Sequence, residues 1–113
     1  MKKLLLVFCI LIESANAEFV LVDYKDQKHL FEKNKNDRIV SVECLKKECS
    51  ANTFHFKKVK IKDGEDPAAV ACLETKQAKI IQMHDGKHNE ESVCLFDDGS
   101  MLTFGSMRIL VSD

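Results

Sequence analysis

Apolar positions fall in short clusters separated by polar turns, which is the spacing of strands rather than of long helices. Phe19–Val22 is a four-residue apolar run that predicts a first strand. Leu30–Lys33 suits either a short strand or a turn of helix, and Asn34-Lys35-Asn36-Asp37 is a turn cluster. Arg38–Glu43, rich in β-branched residues, predicts another strand. Thr53–Ile61 sets Phe54 and Phe56 on one face and Val59 and Ile61 on the other, a strand with a bulge near Lys57-Lys58. Asp66 is a good N-cap and Pro67 a pre-organised first helical residue, so a helix is predicted from there through Gln77. Ala69, Cys72 and Leu73 would share its buried face. Lys79–His84 and Ser92–Phe96 then read as strands joined by an Asp85-Gly86 turn and a polar loop through Glu91. Asp98-Gly99 turns the chain into Met101–Phe104, and Met107–Val111 reads as a last strand. The predicted fold is α+β, a small antiparallel meander with one helix. Leu102–Phe104 and Ile109–Val111 would complete that sheet rather than offer a free edge to a partner. Met83, Met101 and Met107 read as core filler.

The beginning of the chain has a different pattern. Lys2 and Lys3 precede an unbroken apolar run of nine, Leu4 to Ile12, and Ala15-Asn16-Ala17 supplies a small-x-small cleavage site. Nine apolar residues are far short of the roughly 20 that span a bilayer. Residues 1–17 are therefore expected to be a cleaved signal peptide, which implies a periplasmic or secreted protein. Phe8 before Cys9 does not fit the small residue of a lipoprotein site. Removal of Cys9 would leave Cys44, Cys49, Cys72 and Cys94, an even set suited to an oxidising compartment. Four cysteines allow three pairings. A small CLKKEC loop and a helix-to-strand clamp favour Cys44 with Cys49 and Cys72 with Cys94, a disulfide-stapled domain.

Composition then narrows the class. A chain of 113 residues with 45% hydrophobic and 31% charged residues is an ordinary globular mix, too short for a multidomain enzyme. A formal net charge of −1 argues against a dedicated nucleic-acid binder. That near-neutral total hides two unequal parts. Residues 18–62 hold 11 Lys+Arg and 7 Asp+Glu, a net of +4; residues 63–113 hold 4 and 10, a net of −6. All four Gly and the single Pro lie in the second part. The plainer reading is one compact unit whose charges face each other or water, since the lysines are interspersed with acids. The alternative is that the basic part touches an anionic partner such as a membrane surface or an envelope polymer.

Candidate chemistry is sparse. His84 and His88 flank Asp85-Gly86-Lys87 and are weak metal-ligand candidates, lacking a third ligand in the sequence pattern. Cys44 and Cys49 lack the Cys-x-x-Cys spacing of a redox pair. Ser100 lacks a nucleophile-elbow frame, and Asp85, Asp97 and Asp98 lack the alternating oxygen ligands of a calcium loop. No catalytic residue, resident metal or cofactor is assigned.

Two stretches, DPAAVAC at 66–72 and CLFDDGSM at 94–101, carry a likeness. They resemble a family of small bacterial exported domains of unknown function (family number 333), often labelled haemolysins. Pro67, Ala68, Cys72, Cys94, Phe96, Asp98, Gly99 and Ser100 fit its pattern, within residues 65–105. Asp66 replaces the family's usual Asn, Gln77-Ala78 stand in place of a Gly pair, and Leu102, Phe104 and Gly105 occupy a region that often holds Trp and further Cys. The resemblance implies export and a helix-plus-hairpin fold, and no reaction. The expected function is a non-enzymatic binding or structural module of the envelope or periplasm, with an unknown protein or envelope partner. Asp85, Lys87 and His88 form its candidate binding loop. Alternatives are a protease-inhibitor-like protein presenting loop 85–91 and a membrane-active, haemolysin-like protein.

Overall fold

A computed structural model describes residues 19–58 and 60–111. The expected signal peptide and the predicted role of Val59 lie outside the described residues. Six strands run β1 Phe19–Val22, β2 Lys28–Lys33, β3 Ile39–Ser41, β4 Ala78–His84, β5 Glu90–Phe96 and β6 Met101–Thr103. Three short helices accompany them, α1 Ser50–Thr53, α2 Pro67–Glu74 and α3 Phe104–Val111, with a 3₁₀ turn over Val42–Leu45. The sheet closes on itself in the order β1-β2-β3-β6-β5-β4, all neighbours antiparallel. The α+β class and the β4-β5-β6 meander agree with the sequence; the closed barrel and the two additional helices do not.

Closure follows from side-chain parity. Every register pair joins odd to odd or even to even, as in Phe19 with Phe31, Phe31 with Ser41, Val93 with Thr103 and Ile81 with Val93. Because side chains alternate across a strand, odd positions from all six strands share one face and even positions the other. The odd set buries Leu21, Phe31, Met83, Val93 and Met101, flanked by Phe19, Ile39, Ile81 and Leu95. The even set buries Val40, Cys94, Phe96 and Leu102 against the helices and the loop after α1. The molecule thus has two cores, one filling the barrel and one outside it.

Several elements depart from the sequence reading. Met107–Val111 is helix rather than strand. Phe104, Met107 and Val111, spaced i, i+3 and i+7, are all buried in the outer core, which is a helical period. The Thr103 hydroxyl accepts from Ser106 N at 3.3 Å and helps start the helix. Thr53–Ile61 forms no strand among its described residues, because a closed sheet leaves no edge for a seventh. The alternation there still serves packing: Phe54 meets Phe56 edge-on at 4.9 Å between ring centroids, and both rings lie against Phe96. The strand expected over Arg38–Glu43 ends at Ser41, whose hydroxyl accepts from Met101 N at 2.7 Å. Beyond it the 3₁₀ turn carries Cys44 toward Cys49.

Helix α2 begins as predicted, with the Asp66 carboxylate accepting from Ala68 N at 3.0 Å and Pro67 following. It stops at Glu74 instead of Gln77. The Thr75 hydroxyl donates back to the Ala71 carbonyl and Thr75 N to the Cys72 carbonyl, and the chain turns into β4. Its buried face is Ala68, Ala71 and Cys72, while Leu73, expected inside, is 68% exposed. Across the helix start, Arg108 of α3 grips Asp66 with two hydrogen bonds of 2.6 and 3.0 Å, holding the carboxyl below its ordinary range. Cys72 reaches Cys94 and Cys44 reaches Cys49 at disulfide distance, with Cα separations of 5.8 and 5.5 Å.

Two outcomes follow from this packing. Leu102→Ala, at a fully buried position between Val40 and Cys94, should lower stability by about 2–5 kcal/mol in urea unfolding, whereas Leu73→Ala should change it by less than about 0.5 kcal/mol. Replacing the Cys72–Cys94 pair with alanines should cost about 3 kcal/mol, because that pair closes a longer loop than Cys44–Cys49 does, and non-reducing peptide mapping should recover both pairs.

Candidate functional site

The best-built depression lies where the β2–β3 turn meets the Cys44–Cys49 loop. The turn is held by Asn34, whose side-chain oxygen accepts from Asn36 N and Arg38 N at 2.9 and 3.0 Å. Asp37, at a φ of 64°, takes the left-handed conformation that Asp tolerates in turns. Asn52 on α1 joins this turn to the disulfide loop. Its carbonyl-type oxygen accepts from Asn34 Nδ2 at 3.0 Å, and its own amide donates to the Cys44 and Lys47 carbonyls at 2.9 and 3.3 Å. Asn36 Nδ2 donates to the Asn52 main-chain carbonyl, and Arg38 to that of Ala51. One short side chain thereby cross-braces the two loops that flank β3 and its 3₁₀ turn.

Above this brace is a cleft of about 430 Å³ with Lys35, Lys46 and Lys47 on its rim and Glu48 as its one acidic residue. The three lysines are exposed, and among the described residues no hydrogen bond or ion pair engages their ammonium groups. A net charge of +2 over a rigid floor suits an anionic ligand that is held by charge and by amide hydrogen bonds.

The Asp98-Gly99-Ser100 turn fixes α1 from the other side. Asp98 accepts from Ser50 N at 2.8 Å, from Ser100 N at 3.0 Å and from the Ser100 hydroxyl at 2.6 Å, while Ser100 Oγ accepts from Ala51 N at 3.1 Å. These satisfy the first amides of α1, which have no partner within the helix. Burial by itself pushes the Asp98 carboxyl up; the hydrogen bonds from Ser100 and Ser50 outweigh it and bring it down to about 2. Ser100 is buried in this structural role.

The candidate binding loop closes on itself. Asp85 accepts from Lys87 N, Asn89 N and Asn89 Nδ2, and its own N–H donates to the Asn89 carbonyl. Gly86, at a φ of 84°, donates to His84 Nδ1 at 3.0 Å. Lys87 and His88 are displayed on a tight tip, and β5 begins at Glu90. The Gly86 bond occupies one ring nitrogen of His84. Among the described residues no group of three or more His, Cys, Asp or Glu side chains gathers as a metal-ligating set, so the structure adds no third ligand to His84 and His88.

Sequence reading registered the excess of lysines and the small CLKKEC loop but missed Asn52, whose role depends on a fold that brings position 34 to position 52. Comparison of the chain with protein-family models, with curated proteins and with solved structures finds no match. The resemblance over residues 65–105 rests on the residues quoted for it.

Asp98 makes a testable contribution. A carboxyl lowered to about 2 in the folded chain from an ordinary 3.8 stabilises the fold above pH 4, and this contribution is lost as pH falls through about 2. For an exposed turn the contribution is on the order of 1 kcal/mol after solvent screening. Asp98→Asn should lower stability at pH 7 by about that amount and remove that part of the acid dependence, as measured by urea midpoints between pH 2 and pH 7.

Proposed function

We propose that this protein is an exported, disulfide-stapled binding module without enzymatic activity, acting in the envelope or outside it, and that the basic cleft is where it meets an anionic partner. The observation that carries this reading is the trio Lys35, Lys46 and Lys47 displayed over the Asn34–Asn52 brace. Export draws support from the leader-like pattern of residues 1–17 and from two cysteine pairs at bonding distance, which an oxidising compartment would keep. Among the described residues no helix is long and apolar enough to cross a membrane. The inhibitor reading has less support, because the 85–89 tip folds back on Asp85 whereas a protease takes an extended segment. The membrane-active reading rests on the family label alone.

The partner's charge suffices to design the test. The chain should bind dextran sulfate or phosphatidylglycerol vesicles at low ionic strength and release them as salt rises. Lys35→Ala/Lys46→Ala/Lys47→Ala should weaken that binding by about tenfold or more, while Lys76→Ala/Lys79→Ala leaves it unchanged. Equal retention of the triple variant would remove the cleft from the proposal, and no binding to either probe would remove the anionic partner.

A further inference from the structure

The mouth of the barrel holds a different set of chemical groups, independent of the basic cleft. His29 of β2, Met83 of β4 and Met101 of β6 are all odd positions and line one small pocket of about 180 Å³ beside Ile81 and Leu95. Met83 and Met101 are 3% and 8% exposed. At the rim, His29 Nε2 lies 2.9 Å from Asp23 Oδ2, and the other Asp23 oxygen accepts from Lys25 N at 2.8 Å and Gln27 N at 3.0 Å. Asp23 is therefore fixed by its own turn before it touches the ring. An ionised carboxylate only accepts, so the ring nitrogen facing it carries a proton, and Nδ1 of the neutral ring holds the lone pair.

We propose that this mouth is a soft-metal site, in which Met83 Sδ, Met101 Sδ and His29 Nδ1 bind one monovalent ion, Cu(I) or Ag(I), with Asp23 as the positioning residue. Thioethers are soft, uncharged donors that prefer Cu(I)-like ions to Ca²⁺, Mg²⁺ or Zn²⁺, and imidazole suits copper. A carboxylate on the far nitrogen of a ligating histidine is the usual outer support of such a site, since it fixes both tautomer and ring orientation. The apolar walls of Ile81 and Leu95 limit competition from water. No bond to carbon forms or breaks and no electron moves on binding; the ion only exchanges its solvent ligands for two sulfurs and a nitrogen.

The test uses the full chain carrying Cys9→Ser, so that no thiol competes, with both cysteine pairs oxidised. Ag(I) needs no reductant and is followed through methionine ε-methyl and histidine ring-nitrogen NMR signals. The Met83 and Met101 methyls should shift together and saturate at one ion per chain, with Met107, buried in the outer core, unmoved. His29 Nδ1 should shift while Nε2 keeps its proton. Met83→Leu/Met101→Leu conserves volume and should melt like the parent, yet lose Cu(I) to a chromophoric chelator on the order of 100-fold more readily. Asp23→Asn should weaken binding about 10- to 100-fold and abolish the tautomer preference of His29, an effect that a purely structural role would not produce. His84→Asn/His88→Asn should bind as the parent does. Unmoved Met83 and Met101 methyls at saturating Ag(I), or a double leucine variant that competes for Cu(I) as well as the parent, would overturn the proposal.

Discussion

The ring of six strands closes through two narrow seams, Val22 beside His84 and Val40 beside Leu102, and this closure forces every odd position inward and every even position outward. Two three-stranded meanders, β1-β2-β3 and β4-β5-β6, would each leave an open edge and a half-covered face. Joined, they have no edge to protect. The same closure splits the hydrophobic residues of a short chain into two thin layers, neither of which is large. The inner layer depends on Phe31, Val93 and the two methionines, so the mouth of the barrel is lined by sulfur and hydrocarbon instead of backbone. The outer layer must be covered from elsewhere, and that need accounts for the three helices.

Covering the outer face with helices of four to eight residues is a weak solution unless they are tied down. Each helix has a tie. Cys72 clamps α2 to the middle of β5, Arg108 of α3 grips the Asp66 cap of α2, and Asp98 with Ser100 holds the start of α1. The Cys44–Cys49 pair steadies the loop leading into α1. In this arrangement the second half of the chain supplies most of the fastening. It also explains the acidity of that half: Asp66, Asp85 and Asp98 accept backbone or guanidinium hydrogen bonds and act as turn and cap residues first.

Local chemistry was legible in the sequence wherever it was sufficient on its own. Asp66-Pro67, Asp85-Gly86 and Asp98-Gly99 start or turn elements through their own side chains and dihedrals, and all three stand where their residue types put them. Met107–Val111 and Thr53–Ile61 were misread because β-branched and alternating residues suit both a strand and a packed surface, and only barrel closure decides between them. Leu73 was misread because the short helix turns Ala68, Ala71 and Cys72 towards α3, β4 and the Cys94 bond, which leaves Leu73 on the outward side. The lysine excess of the candidate cleft was readable as charge, but its floor was not. Nothing local marks Asn52 as the bridge between a turn and a disulfide loop, just as nothing local brings His29 to Met83 and Met101.

The two halves also differ in what they leave over. Carboxylates in the second half are largely engaged in holding elements together, so their charge is already matched by amide dipoles or by Arg108. Among the described residues the ammonium groups of Lys35, Lys46 and Lys47 hold nothing together; the brace beneath them is made of neutral asparagines and main-chain carbonyls, that of Lys47 included. A fold that needed those lysines for its stability would have paired them. A neutral scaffold that keeps three ammonium groups solvated around one cleft accepts electrostatic repulsion among them, which an anion of the kind proposed for it would relieve. The Asn52 brace fixes the backbone beneath them, so that of this site only the lysine side chains themselves would have conformational freedom to lose on binding.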